Sequence, residues 1–216
     1  MFSYFDPTYV LVIIAFLLTL FASMGVKSTF SKYNDVRSSR GITAASAARQ
    51  ILDANGLQNI RIEHVSGDLT DHYSPNENVI RLSDSTYNST SVAAIGVAAH
   101  ECGHAVQHQV GYVPIKIRNG IVPIVNVCNT LSMPIFIIGL ILGLAMVGAI
   151  LFGAVLVFQL VTLPTEINAS RRAMKTLESM YLLEGDELTG ARKTLTAAAM
   201  TYVAAVASTA LQFLRD

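Results

Sequence analysis

An uncharged segment over 120–163 constrains this chain more than any other feature of its sequence. As one straight α-helix it would be about 66 Å long, roughly twice the thickness of the hydrocarbon core of a bilayer. The segment must therefore turn back, and the glycines within 143–148 favour a turn there. Lys116 and Arg118 precede the segment and Arg171 follows it, so the positive-inside rule places both ends in the cytoplasm. The pattern predicts a hairpin of two transmembrane helices.

A second uncharged segment, Thr8 to Val26, is also about long enough to cross the hydrocarbon core. A cleaved signal peptide would carry basic residues before its apolar stretch. Here the basic residues come afterwards, beginning with Lys27 and Lys32. The sequence therefore predicts a retained anchor with its N-terminus outside and the following segment in the cytoplasm.

The overall composition agrees with a membrane protein. Charged residues make up 14% of the chain, against about 25% in soluble domains, and hydrophobic residues make up 52%. The net charge is zero, so no global basic field attracts nucleic acid. We expect a multi-pass protein of the plasma membrane. The last apolar segment, 186–214, is long enough to span but only weakly hydrophobic, which slightly favours a helix buried in protein.

Hydrophobic periodicity predicts soluble helices and strands outside these segments. Thr43 is a candidate N-cap for the first helix, and Asn55-Gly56 is a stop signal for it. The stretch over 71–77 is predicted to be a loop. The predicted helices are 38–58, 92–109 and 164–183, and the predicted strands are 60–65 and 78–83.

The helix over 92–109 carries the motif His100-Glu101-Cys102-Gly103-His104. Residues four apart lie on one helix face, so His100 and His104 can bind the same ion. Glu101 lies one step round the helix, where its carboxylate can hold and deprotonate a zinc-bound water. A charged glutamate between two histidines would be costly in an apolar helix unless a cation paired with it. The motif predicts a hydrolytic zinc site.

Catalytic zinc takes a third protein ligand and leaves one position open. His108 lies about 12 Å along the axis from His100 on a straight helix, too far for one ion. Glu166 is the better candidate, because the hairpin returns the chain to the same membrane face just before it. A glutamate that only favours a helix dipole is the alternative. Asn168 and Ser170 are candidates for contacts with the metal ligands.

The strand over 78–83 has two interpretations. It is either a core strand or an edge strand that pairs with an extended substrate through main-chain hydrogen bonds. The sequence does not choose between them, and it does not identify the group that polarises the oxyanion.

The order of anchor, HECGHAVQH helix, apolar hairpin and PTEINASRRA segment resembles the YugP-like family of bacterial neutral membrane zinc metallopeptidases. More distantly, it is similar to HtpX and the CAAX-prenyl endopeptidases, which carry an E-x-x-A-D pattern after their transmembrane segments. Glu166 and Ala169 match this pattern, whereas Ser170 stands where the Asp would be. The resemblance implies a zincin-like α+β catalytic core of the gluzincin type. It also implies proteolysis of membrane or membrane-adjacent proteins.

Together these features predict a membrane α+β protein that is a zinc endopeptidase, with Glu101 as catalytic base and His100, His104 and Glu166 as zinc ligands. Its expected partners are a protein or peptide substrate associated with the membrane, and the lipid bilayer. The expected divisions are an anchor over 1–26, a first catalytic part over 27–119, the hairpin over 120–163 and a second catalytic part over 164–216.

Two other classes of function stay open. A non-catalytic membrane chaperone or adaptor could keep a structural zinc, and a fourth ligand such as His108 would favour it. A transporter would need polar groups in the spans. The notable ones there are Asn126, Asn129 and Gln159, and we expect them to form hydrogen bonds between helices.

Overall fold

The structure, a computed structural model, describes residues 9–123, 125 and 145–215. This part of the chain is mostly helical and includes one small three-stranded sheet. In chain order the elements are α1 (Tyr9–Asn34), α2 (Ala44–Ala54), β1 (Arg61–His64), β2 (His72–Ser74), β3 (Val79–Leu82), α3 (Val92–Gln109), α4 (113–123), α5 (Ala145–Ser179) and α6 (Gly185–Arg215).

The chain divides into two compact units. The first, which we call the helix–sheet unit, consists of Gly25–Tyr112 and Glu166–Ala199. The second, the apolar unit, consists of the described residues within Met1–Met24, Val113–Thr165 and Met200–Asp216. Helices α1, α5 and α6 contribute residues to both units, whereas α2, α3 and the sheet belong to the first.

Helix α2 confirms the predicted cap and stop signals. The Thr43 hydroxyl accepts a hydrogen bond from the Ser46 amide at 3.2 Å. Asn55 caps the other end, and Gly56 follows with a φ of +72°, which suits glycine. The helix begins at Ala44 and not near Ser38, because residues 38–41 form a turn closed by the Gly41 amide on the Ser38 carbonyl.

The sheet has the strand order β1-β3-β2, with β3 parallel to β1 and antiparallel to β2. The edge-strand interpretation of 78–83 is therefore wrong, since β3 is paired on both sides. Strand β2 lies in the stretch that was predicted to be a loop. The Asp71 carboxylate explains this fold-back, because it accepts hydrogen bonds from the amide and hydroxyl of Ser83, just after β3. A turn with Asn78 at a φ of +51° then completes the antiparallel pair.

Helix α3 lies at the centre of the helix–sheet unit, and its predicted bounds are confirmed. Ser91 caps it by accepting from the Ala94 amide at 3.1 Å. The close packing of α3 on α5 depends on Gly103, where an added Cβ would lie 2.6 Å from the carbonyl oxygen of Ala169. The two helices thus pack backbone to backbone. Their shared core includes the fully buried side chains Ile51, Leu52, Ile80, Leu82, Ile95 and Leu177.

Helices α1 and α6 are long and apolar enough to cross a membrane, by length and composition, over Val10–Asn34 and Gly185–Leu211. Only 6% of the most apolar stretch of α1 is buried, and 28% of that of α6. Within the apolar unit these helices meet through hydroxyl groups. The Ser208 hydroxyl donates to the Ala15 carbonyl at 2.8 Å and lies 3.0 Å from the Thr19 hydroxyl. Such contacts are common where helices pack in lipid.

The predicted hairpin over 120–163 falls partly outside the described residues, which omit 124 and 126–144. The predicted start of a helix near Pro164 is wrong, because Pro164 lies inside the continuous helix α5. A proline inside a helix removes one backbone donor. The hydroxyls of Thr162 and Thr165, on either side of the proline, donate to the carbonyls of Phe158 and Val161.

Candidate metal centre

Helix α3 brings His100 and His104 onto one face, as the four-residue spacing predicts. Their ring centroids lie 4.7 Å apart, and their Nε2 atoms lie 3.1 Å apart. Both rings are largely shielded from solvent, with exposed side-chain fractions of 14% and 9%. Two imidazole lone pairs cannot face each other at this distance without a cation or a proton between them.

Glu166 on α5 supplies a third donor to the same point. Its Oε2 lies 3.1 Å from the Nε2 of His100 and 3.4 Å from the Nε2 of His104. The Glu166 side chain is buried, with 4% exposed. Among the described residues, His100, His104 and Glu166 form the group that could hold a metal ion. Their donor atoms all lie within 4.8 Å of one another.

The donor triangle has the dimensions of a zinc site. Its edges are 3.1, 3.1 and 3.4 Å. In a tetrahedral zinc site with bonds of about 2.0–2.1 Å, neighbouring donors lie about 3.3 Å apart. Two imidazoles and one carboxylate are also a common ligand set of hydrolytic zinc, with a fourth position left open. The residues present therefore fit zinc in number, chemistry and spacing.

The electrostatics of the site favour a positive charge where the donors converge. Burial raises the pKa of Glu166, but its hydrogen bonds to His100 and His104 outweigh burial, and the pKa lies well below the ordinary value. Burial lowers the pKa of His104. The hydrogen bond to Glu166 and the charges of Glu101 and Glu166 together raise this pKa by more than burial lowers it, so the net shift is upward. Both shifts express the same preference for a cation between these groups.

Each imidazole makes a second contact through its other ring nitrogen. The Nδ1 of His100 lies 3.1 Å from the Ser170 hydroxyl, and the Nδ1 of His104 lies 3.0 Å from the Oε1 of Gln107. Ser170, which stands where related patterns have an Asp, thus provides a hydroxyl contact for His100. Asn168 is also close, because its Oδ1 accepts from the Gln107 amide at 3.0 Å. Such contacts orient the rings of metal-ligating histidines.

The other residues singled out in the sequence lie as follows. Glu101 is buried, with 8% exposed, and its charge acts on His104. His108 is exposed and packs edge-on against Tyr73 of β2, with ring centroids 6.3 Å apart. It is not part of the donor group. Cys102 is fully buried, and this burial raises the pKa of its thiol. Its Sγ contacts the Ala48 carbonyl.

Gln107 is the site residue that the sequence reasoning missed. It is fully buried and lies three residues after His104 on the same helix. The available signal was an amide side chain in an apolar helix one turn after a predicted ligand, since such a side chain needs a buried partner.

Comparison with known proteins then decides the family. A family model described as "Putative neutral zinc metallopeptidase" matches residues 8–216. The chain belongs to this family. The predicted resemblance is confirmed, and so is the predicted cofactor, zinc. His100, His104 and Glu166 form a candidate metal site for it.

A curated relative of this zinc metallopeptidase is the "Putative membrane protease YugP" of Bacillus subtilis (strain 168). The two are 45% identical over 208 residues, which cover 95% of this chain and 92% of the relative. No solved structure matches the chain. The comparisons therefore support a protease with membrane features.

Proposed function

We propose that this chain is a membrane-embedded endopeptidase that hydrolyses peptide bonds with Glu101 as its catalytic base. The observation that carries the proposal is the convergence of His100, His104 and Glu166 on one point beside a buried Glu101. The ligand set is that of a gluzincin.

The mechanism follows from the side chains around that point. His100, His104 and Glu166 would hold the zinc, which would polarise the scissile carbonyl and lower the pKa of a water molecule. The Glu101 carboxylate takes the proton from the attacking water. It then returns this proton to the leaving amine, which leaves two neutral products. The apolar neighbours of Glu101 on α3, among them Ala98 and Ala105, are buried and exclude bulk water.

The alternative is a chaperone or adaptor that keeps an inert zinc. Structural zinc usually has four protein ligands. Among the described residues the donor group has three members, and His108 is exposed and packs against Tyr73. These observations do not favour the alternative.

The proposal includes a zincin-like core in which the substrate pairs with an edge strand. In the described sheet β2 is an edge strand, and Tyr73 of β2 contacts His108 of the α3 helix. Strand β2 therefore takes the place that the sequence reasoning gave to 78–83. An extended peptide bound there would gain main-chain hydrogen bonds and would lie along the metal-bearing helix.

We further propose a division into an anchor over 1–26, catalytic parts over 27–119 and 164–216, and a transmembrane hairpin over 120–163. The N-terminus lies outside and the catalytic parts face the cytoplasm of a plasma-membrane protein. The exposed apolar surface of α1 supports the anchor. The substrate is then a membrane protein or a peptide at the cytoplasmic surface. A topology reporter fused at Ser38 tests the orientation, because an external signal would reverse it.

The function is tested with Glu101→Gln, measuring zinc content and casein cleavage on the same purified sample. Loss of a positioned base costs roughly 10²–10⁴-fold in rate. We expect cleavage to fall by that factor while the zinc content stays at the wild-type level. Glu178→Gln, an exposed position on α5, is the matched control and should leave both unchanged. Unchanged cleavage in Glu101→Gln would contradict the proposed role.

A further inference from the structure

The contacts behind His104 form a continuous chain of side chains that ends in a cation. The His104 Nδ1 lies 3.0 Å from the Gln107 Oε1, and the Gln107 Nε2 lies 3.0 Å from the Asn168 Oδ1. The same Asn168 oxygen lies 2.8 Å from the Nε of Arg172. We call Gln107, Asn168 and Arg172 the relay. It connects α3 with α5, the two helices that carry the donors.

The direction of every hydrogen bond in the relay is fixed by its last member. An arginine guanidinium can donate but cannot accept. The Asn168 atom that faces Arg172 must therefore be the amide oxygen. Because that oxygen also faces the Gln107 side chain, the Gln107 atom directed at it must be the NH₂ group.

The orientation of Gln107 in turn determines which nitrogen of His104 carries the proton. With its NH₂ group on Asn168, Gln107 presents its carbonyl oxygen to the His104 Nδ1. That oxygen can only accept, so Nδ1 must carry the proton. In the neutral ring Nε2 is then bare, and Nε2 is the atom that lies 3.4 Å from the Oε2 of Glu166.

We propose that Gln107 is a positioning residue that holds His104 in the tautomer able to bind zinc through Nε2, and that Asn168 and Arg172 set its polarity. Gln107 is fully buried, so water does not compete for its amide. The inference rests on the proposed function in one respect, the assignment of His104 as a zinc ligand. It assigns a role to residues outside the motif and the third-ligand position.

His100 is held differently, which makes the inference specific. Its Nδ1 contacts the Ser170 hydroxyl, which can donate or accept by rotation. Ser170 therefore does not by itself select a tautomer of His100. The relay makes His104 the histidine whose ligating nitrogen is fixed in advance.

The test measures zinc affinity of the full-length protein in detergent, by competition with a chelator and without any peptide substrate. Loss of a hydrogen-bond partner behind a ligating histidine typically weakens metal affinity by 10–100-fold. We expect Gln107→Leu to weaken zinc binding by roughly that factor. Gln109→Leu is the matched control, because this exposed glutamine on the same helix bonds the Asn55 carbonyl and should bind zinc like the wild type.

Two variants of Asn168 separate polarity from packing. Asn168→Asp keeps an acceptor oxygen for both Gln107 and Arg172, so zinc affinity should stay within a few-fold of the wild type. Asn168→Leu removes the acceptor that both Gln107 and Arg172 face, so affinity should fall. Equal affinities of the two variants would contradict the relay. A purely structural role would weaken both, and would lower the unfolding temperature equally with and without zinc.

The wild-type protein provides a direct readout that does not depend on any variant folding. Nitrogen-15 spectra of histidine-labelled, zinc-loaded protein distinguish a protonated Nδ1 from a protonated Nε2. We expect His104 to carry its proton on Nδ1, and the resonance of this N–H to shift in Gln107→Leu because it loses its acceptor. A His104 protonated on Nε2, or wild-type zinc affinity in Gln107→Leu, would overturn the inference. If the wild type bound no zinc, the proposed function would fail as well.

Discussion

Helices α1 and α3 are both rich in apolar residues, but they differ in which side chains are exposed. Helix α1 exposes large apolar side chains, whereas α3 buries polar ones. On α1, Phe16 and Phe21 are 64% and 65% exposed. On α3, His104 and Gln107 are 7% and 0% exposed. An apolar sequence predicts removal from water, but it does not say what replaces the water. The exposed apolar surface of α1 fits a lipid environment, whereas α3 is surrounded by protein and carries two donors of the candidate metal centre.

The largest expected effect is a loss of zinc affinity at the buried polar cluster to which α3 contributes. Glu166→Gln keeps the shape of the side chain but removes the negative charge that His100 and His104 face. Since we propose Glu166 as a direct zinc ligand, zinc affinity should fall by more than the roughly 10–100-fold expected for an outer partner. The affinity is measured by chelator competition. Glu178→Gln should bind zinc normally, and equal affinities of these two variants would show that Glu166 is not a ligand.

The next largest effect concerns membrane insertion of the apolar helix α1. A charged residue at the centre of a transmembrane helix costs about 2.5–3.5 kcal/mol on insertion scales. Phe21→Arg should therefore reduce insertion of the α1 segment in a translocation assay, whereas Phe21→Leu should insert as the wild type does. If both variants inserted equally well, α1 would not be a membrane anchor.

A smaller effect tests how α3 reaches α5. A Cβ at Gly103 would lie 2.6 Å from the Ala169 carbonyl oxygen, and this is a backbone atom that cannot rotate away. Gly103→Ala should therefore destabilise the fold by about 1–3 kcal/mol, the usual cost of overpacking. Thermal unfolding of the purified protein measures the loss. Gly25→Ala on α1 is the control, because its Cβ would meet nothing within 4 Å.

The smallest effect uses α2 as the ordinary reference, a helix with one buried face and a polar cap. Thr43→Ala removes the acceptor for the Ser46 amide and should cost about 1 kcal/mol. Thr43→Ser keeps that acceptor and should cost less, again by thermal unfolding. If Thr43→Ser lost as much stability as Thr43→Ala, the loss would come from the missing methyl group and not from the missing cap.

Local patterns in the sequence predicted the features that depend on a single segment of the chain, such as helix caps, helix bounds and helix faces. The cap at Thr43, the bounds of α3 and the shared face of His100 and His104 follow from spacing alone. Family membership and zinc were also accessible from the motifs, because metal chemistry restricts both residue type and spacing.

Features that depend on contacts between distant segments were not predictable in the same way. Strand β2 is short, and it pairs because Asp71 binds Ser83 across the turn. The helix continues through Pro164 although proline usually starts or ends one. Gln107 acquires its partner from α5, which lies about sixty residues further along the chain. None of these contacts leaves a periodic signal in the sequence.

The central claim is that two imidazoles and one carboxylate hold the metal. X-ray absorption at the zinc edge of the purified full-length protein tests it most directly. The account predicts nitrogen and oxygen neighbours at about 2.0–2.1 Å, with the outer scattering of two imidazole rings. Sulfur at about 2.3 Å, which would implicate a cysteine, or the scattering of three imidazoles would contradict it.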